Sequence, residues 1–320
     1  MKKIVLAFAL FAFWGLGAKA QQMARYSEYM FNQLVFNPGY TGSTEGLSIT
    51  GIGRKQWVNI KGAPSSVALS AHSPLGEEKK IGVGGFFEYD EIGVHKKTDF
   101  FVTYSYKFLM GENRLSIGVD AGLSMLQSNF SQLTGNELIE LGSDLIYAQD
   151  MRRMMPNFGL GLYFYRPNRY YIGASAPQLL ESKLRDGIES IDKIAHIYRH
   201  YYFTAGGILG NKNFRVRPSV LVKAVPVGAP TQTDLSLMFL IQDAFWLGGS
   251  YRMAFGGGQS FESESLDFIA AFQLKNGLRI GYAYDLTLTE LSNYTSGSHE
   301  IMIGYDLRSK GVRYHTPRYF

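Results

Sequence analysis

Chemistry needs nucleophiles, acids, bases or metal ligands at workable spacing, and few such groups in this chain of 320 residues come close together. His299 stands beside Glu300 and near Ser296, the residue types a hydrolase uses. On a strand, however, adjacent residues point to opposite faces and cannot share a reaction centre. Glu88, Asp90 and Glu91, ahead of His95, Lys96 and Lys97, offer carboxylates and an imidazole to a cation. The alternation of sign reads more simply as a solvated hairpin tip with compensating charges. No His-Glu-x-x-His, P-loop or Gly-x-Ser-x-Gly sequence is present. The chain has no cysteine, which removes disulfides, thiolate metal sites and a cysteine nucleophile together. The expectation is a protein that is not an enzyme, with no catalytic residues, no metal and no cofactor.

The elements that would position any site are read from composition and periodicity. Apolar residues make up 46% of the chain and mean hydropathy is near zero, too apolar for disorder and too polar for a bundle of membrane helices. The 36 glycines argue against helices, because each weakens a helix interior by about 1 kcal/mol relative to alanine. A net charge of +5 raises nucleic acid as a partner, but 27 acidic residues are interspersed with 32 basic ones and no basic stripe stands out. No nucleic-acid partner is expected.

Residues 1–20 read as a secretory signal peptide: Lys2 and Lys3, an apolar run from Ile4 to Leu16, and small residues at Ala18 and Ala20 for cleavage before Gln21. The run is shorter than the roughly 20 residues a membrane helix needs, and no longer apolar run follows. Beyond it, period-2 alternation dominates. Phe100, Val102, Tyr104, Tyr106 and Phe108 share one face against Asp99, Thr103, Ser105 and Lys107, broken only by Phe101. Leu115 to Met125, Leu278 to Leu286 and Ile301 to Leu307 repeat the pattern.

A soluble sandwich and a membrane barrel both produce such ladders. Three features favour the barrel: strands of about ten residues, the length a tilted strand needs to cross a bilayer; aromatic residues toward the ends of the apolar faces; and sorted connections. Short links fall at 73–79, 110–113, 166–168, 210–213, 242–244 and 275–277; longer ones fall at 54–65, 90–96, 127–154, 177–199, 226–231, 255–263 and 287–297. Short turns on one rim and long loops on the other are the outer-membrane pattern, with the short rim periplasmic. The expected fold is an all-β transmembrane outer-membrane β-barrel of about 14 antiparallel strands over residues 46–307, in contact with outer-membrane lipid.

The inward faces then carry Asp99, Asp120, Asp285, Glu300 and Asp306 with Lys107, Arg215, Arg217, Lys223, Arg252 and Arg279. Both signs in one lumen predict a mutually satisfied network rather than a pore selective for one ion sign. Residues 21–45 are unusually aromatic for a tail, with turn chemistry at Asn37-Pro38-Gly39. They are the candidate plug segment, burying Tyr26, Tyr29, Met30, Phe31, Leu34, Phe36 and Tyr40 inside the barrel; the alternative is a periplasmic docking peptide. Residues 308–320 form a basic aromatic tail in which Arg318, Tyr319 and Phe320 are candidate contacts for a periplasmic partner.

Several segments taken together resemble a known family. They are Tyr26 to Asn32 (Tyr-Ser-Glu-Tyr-Met-Phe-Asn), Phe36 to Ser43 with Asn37, Pro38 and Tyr40, Arg54 with Gln56 and Trp57, Gly62 to Pro64, Ser70 to Pro74, Ser298 to Met302 and Pro317 to Phe320. These resemble the PorP/SprF proteins of the type IX secretion system of Bacteroidota, with Gly39 and Thr41 where the family usually carries alanine. The resemblance implies a FadL-like barrel that anchors or helps export secreted cargo with a type B C-terminal domain, such as a gliding adhesin. It also implies an OmpA-like peptidoglycan-binding periplasmic partner and, through it, the PorK/PorN ring. The alternative is a FadL-like or porin-like channel for a small or hydrophobic solute.

Overall fold

Side chains that alternate between apolar and polar need two environments, and a sheet closed on itself supplies them as an outside and an inside. The computed structural model describes residues 23–132, 150–183, 196–211, 213–226, 229–256 and 259–307. The leader expected at 1–20, the first two residues of the expected plug segment, and the tail expected at 308–320, with Arg318, Tyr319 and Phe320, therefore lie outside the described residues. The chain forms a closed antiparallel barrel of fourteen strands. They are β1 (Ser48–Lys55), β2 (Ser65–Leu75), β3 (Ile81–Ile92), β4 (His95–Met110), β5 (Asn113–Ser128), β6 (Met151–Arg166) and β7 (Tyr170–Ala176). There follow β8 (Tyr201–Gly207, continued by Leu209–Gly210), β9 (Phe214–Ala224), β10 (Thr231–Ile241), β11 (Phe245–Gly256), β12 (Gln259–Gln273), β13 (Leu278–Thr287) and β14 (Ser298–Asp306). Each pairs with its sequence neighbours, and β1 closes the ring on β14, from Ser48 opposite Asp306 to Lys55 opposite His299.

The two faces sort as the alternation predicts. On β4, Phe100, Val102, Tyr104, Tyr106 and Phe108 are exposed, whereas Asp99, Thr103, Ser105 and Lys107 are buried. Phe101, the break in the polar face, is buried and stacks on Phe86 of β3 with ring centroids 5.2 Å apart. Ile280, Tyr282, Ile301, Ile303 and Tyr305 face outward on β13 and β14, while Arg279, Asp285, Glu300 and Met302 face inward. An apolar outer face on strand after strand is the surface that lipid covers. No described helix is long and apolar enough to cross a membrane; the crossing is made by strands.

Two expectations need correction. The strands are not uniformly about ten residues: β7 has 7 and β4, β5 and β6 have 16 each. The links expected at 90–96 and 255–263 shrink to tight connections, because β3 and β4 pair as far as Ile92 opposite His95 and β11 and β12 as far as Gly256 opposite Gln259. Charged residues there had the look of a loop, yet Asp90 faces Lys97 and Glu91 faces Lys96 across the ladder, so opposite charges extend the hairpin. Four of the other five long links remain long, while residues 225–230 between β9 and β10 are barely longer than the 76–80 connection, the longest on the opposite rim. Short connections on one rim and longer ones on the other are the pattern of outer-membrane barrels.

Candidate functional site

The lumen is occupied by the chain's own N-terminal segment. From Met23 onward it winds through three short 3-10 turns, Tyr29–Phe31, Gln33–Val35 and Pro38–Tyr40. The last begins where the sequence demands a turn: the Asn37 side chain accepts a hydrogen bond from the Gly39 N–H at 2.8 Å, and Pro38 takes the first position, where no donor is needed. Tyr26, Tyr29, Phe31, Asn32, Asn37, Pro38 and Tyr40 are all buried there. Phe31 meets Trp246 of β11 edge-on at 5.8 Å, and Tyr40 meets Tyr163 of β6 edge-on at 5.3 Å. The Tyr29 hydroxyl lies 3.2 and 3.1 Å from the hydroxyls of Ser219 and Ser236. Asn32 Oδ1 accepts from Ser70 at 2.6 Å.

Glu88 belongs to this interior and not to a solvated tip, which corrects the reading of the 88–97 cluster. Its carboxylate accepts from the Tyr26 hydroxyl at 2.7 Å, and only Glu91 and Lys96, 3.4 Å apart, stay together near the hairpin end. Period 2 is the reason: Glu88 shares the inward face of β3 with Phe86, and Glu91 falls on the other face. His299 and Glu300 also separate by face. His299 Nδ1 lies 2.6 Å from the Tyr282 hydroxyl outside, while Glu300 is fully buried inside. Among the described residues no cluster could hold a metal ion.

Charge holds the start of the segment. Arg54 on β1 pairs with Asp285 on β13 and, at 3.0 Å, with Glu300 on β14. Glu300 Oε2 accepts from the Ser27 N–H at 2.9 Å and its Oε1 accepts from the Glu28 N–H at 2.7 Å. The Ser27 hydroxyl accepts from Arg54 Nη1 at 2.8 Å and donates to Asp285 at 2.6 Å. Two residues of the segment thus complete an ionic group of the wall. The network continues through Arg252, which reaches Asp234 at 2.5 Å, Asp267 at 3.4 Å and Asp285 at 3.7 Å.

Close packing holds its other end. A Cβ built on Gly118 of β5 would run into the carbonyl of Pro38, and one on Gly161 of β6 into the Asn37 side chain. Only glycine at these wall positions lets the backbone of the turn lie against the sheet. Ser105 donates to the Thr41 carbonyl at 2.7 Å, Lys107 donates to the Gly42 carbonyl, and the Gly42 N–H donates to His72 Nδ1 at 2.9 Å.

Arg54 therefore works in the lumen, whereas Gln56 and Trp57 lie just above it in the link from β1 to β2. That link is stitched to the link from β13 to β14: Val58 N–H to the Gly297 carbonyl at 2.8 Å, Ser296 N–H to the Val58 carbonyl at 3.1 Å, and Trp57 N–H to the Ser298 hydroxyl at 3.2 Å. Gln56, Trp57, Arg25, Arg54, Arg252 and Glu264 border a cavity of about 550 Å³ at this mouth.

Segments remote in sequence, Tyr26 to Asn32, Phe36 to Ser43, Arg54 and Ser298 to Met302, thus meet inside one barrel. A family profile described as type IX secretion system membrane protein PorP/SprF matches residues 18–305. The chain belongs to the PorP/SprF family. That family is one of secretion membrane proteins, and this member has the outer-membrane barrel fold. No curated protein matches the sequence. Among solved structures, this PorP/SprF barrel is similar to the CymD monoaromatic hydrocarbon channel at 11% identity and a TM-score of 0.49, covering 92% of this chain and 96% of that one. It is also similar to BamA from Haemophilus ducreyi lacking POTRA domains 1-3, at 10% identity and a TM-score of 0.42, covering 82% and 70%. A mutant Rh. blastica porin matches at 9% identity and a TM-score of 0.36, covering 82% and 99%.

The sequence marked Arg54, Asp285 and Glu300 separately, as a motif residue and as lumen charges. Their joining was not visible, since Arg54 lies 231 and 246 residues from its two partners. Arg25, which pairs with Glu264 at 2.8 Å, carried no sequence signal at all.

Proposed function

We propose that this PorP/SprF barrel anchors, or helps export, secreted cargo bearing a type B C-terminal domain such as a surface adhesin, and couples it to periplasmic machinery. The leader at 1–20 sends it to the outer membrane and is cleaved near Ala20. Its N-terminal segment acts as a plug, the long-rim loops receive cargo, and the short rim with the basic tail at 308–320 meets an OmpA-like peptidoglycan-binding protein and the PorK/PorN ring. The single observation that supports this reading over a solute channel is the filled lumen: an occupant clamped by Arg54, Asp285 and Glu300 leaves a wall suited to holding rather than conducting.

Crosslinking and co-purification from native outer membrane test it. The expected result is recovery of a secreted adhesin together with a type IX component; recovery of neither sinks the reading. Planar-bilayer recording supplies the contrast with transport. The intact barrel should be silent and a variant lacking residues 21–43 should conduct, whereas steady conductance or solute flux through the intact barrel favours the channel.

A further inference from the structure

Carboxylates outnumber guanidinium groups at the long-rim mouth. Arg25, Arg54 and Arg252 are shared among five of them: Glu264, Asp285, Glu300, Asp234 and Asp267. Glu262 and Glu290 border the same cavity, are exposed, and make no ion pair among the described residues. Glu262 stands on β12 opposite Ala254, whose side chain is buried in the lumen, so the carboxylate faces the opening of the barrel and not lipid. Glu290 begins the short turn Glu290–Asn293 in the link from β13 to β14. An entering anion meets arginines already held by carboxylates. An entering cation meets two carboxylates without a counter-charge, in a recess whose excess of one sign concentrates the other.

A second feature, independent of charge, points to a ligand. Thr287 is only 7% exposed, lies on the inward face of β13 with Asp285, and borders the cavity, yet no described residue hydrogen-bonds its hydroxyl. A hydroxyl so deeply placed and still unpartnered is an acceptor in need of a donor. The half-buried indole of Trp57 lines the same space, held there by the stitched loops described above. The cation–ring contacts of the described residues fall on Tyr165, Phe31 and Trp246, and none uses Trp57. Two unpaired carboxylates, an acceptor hydroxyl and an aromatic ring around about 550 Å³ suit a group that is positive, donates several hydrogen bonds and carries an apolar stem. A bare metal ion does not match, since no cluster among the described residues could hold one.

We propose that this mouth is a binding site for an organic cation, the alkylammonium or guanidinium group that a lysine or arginine side chain carries. Glu262 and Glu290 supply the counter-charge, the Thr287 hydroxyl accepts one of the cation's hydrogen bonds, and the Trp57 ring packs on its charge or its methylenes. The proposal does not rest on the cargo reading, since it concerns the mouth alone.

The full barrel, in nanodiscs of zwitterionic lipid, is titrated calorimetrically with trilysine amide, a linear triamine, calcium chloride and triglutamate. Saturable binding of trilysine or the triamine is expected, and the tighter of the two assigns the source as a peptide or a free amine. The double variant Glu262→Gln/Glu290→Gln should weaken that binding by about fivefold or more. Thr287→Val, which changes no charge, should weaken it by about threefold or more, a loss that diffuse attraction to an acidic surface would not produce. Every variant is checked for the heat-dependent gel mobility of a folded barrel. If Thr287→Val fails to fold, Trp57→Leu, with an expected loss of about threefold or more, takes its place. No saturable binding of either amine, unchanged affinity in the folded variants, or tighter binding of calcium or triglutamate overturns the proposal. Cargo co-purification with the double variant is read separately, so failure here leaves that reading standing.

Discussion

Replacing Glu300 by glutamine tests whether the N-terminal segment is held by charge at its start. Glu300 accepts the N–H groups of Ser27 and Glu28 at 2.9 and 2.7 Å and pairs with Arg54 at 3.0 Å, all without exposure to solvent. Glutamine keeps the shape but offers one acceptor and one donor. Whichever way the amide turns, an NH₂ faces a backbone N–H or the Arg54 guanidinium, and the charge opposite Arg54 is gone. Breaking a buried pair in this way costs about 3–5 kcal/mol. At about 1.4 kcal/mol per tenfold, local release of the Ser27 and Glu28 amides should become roughly two to three and a half orders of magnitude more frequent. Asp285 still holds Arg54 and the Ser27 hydroxyl, so the loss is local to the turn. Hydrogen exchange of the peptide spanning Tyr26 to Tyr29, read by mass spectrometry in nanodiscs, measures it, with a β4 peptide as internal reference. Exchange unchanged within about threefold, or equal loss of protection in β4, would refute the reasoning that converts the clamp into a local free energy.

Gly118→Val should push the turn at Pro38 off the wall and raise proteolysis of the segment, while Gly53→Ala, whose Cβ meets nothing within 4 Å, should leave it unchanged; a digestion time course distinguishes them. Glu300→Gln and Gly118→Val should add within about 0.5 kcal/mol. The five strand spacings between β14 and β5 separate them by roughly 24 Å of wall, and exchange of the double variant measures the sum. Val119→Arg on the outer face of β5 should destabilise the folded barrel by about 2–4 kcal/mol if it lies near the bilayer midplane, read by urea titration in vesicles.

How much of this was legible depended on the range of the interaction. The faces of β4, β5, β13 and β14 were readable because period 2 is local and lipid enforces it residue by residue. Asn37-Pro38-Gly39 was readable as a turn because its chemistry lies within three residues. The hairpin end at Glu91 and Lys96 misled because charge normally marks loops; here the charges pair across a ladder, a fact that register and not composition determines. The clamp and the cavity were out of reach. Arg54 meets Asp285 and Glu300, and Trp57 meets Ser298, only because the ring closes β1 on β14, and closure leaves no mark within any short window of sequence.

The inward glycines and charges, separate oddities of composition, are linked through the occupant. In a water-filled lumen Arg54, Asp285 and Glu300 would be weakly coupled, since water solvates each ion and screens the pair. The segment replaces that water with two backbone N–H groups and a serine hydroxyl, so the wall charges find fixed partners in a drier interior. Glycine at 118 and 161 then lets the far end of the same segment lie flat enough to reach its own contacts. Segment and wall are therefore mutually dependent: removing either leaves buried groups of the other unsatisfied. Any partner that displaces the segment has to bring its own donors for Glu300, or admit water to the lumen as the segment leaves.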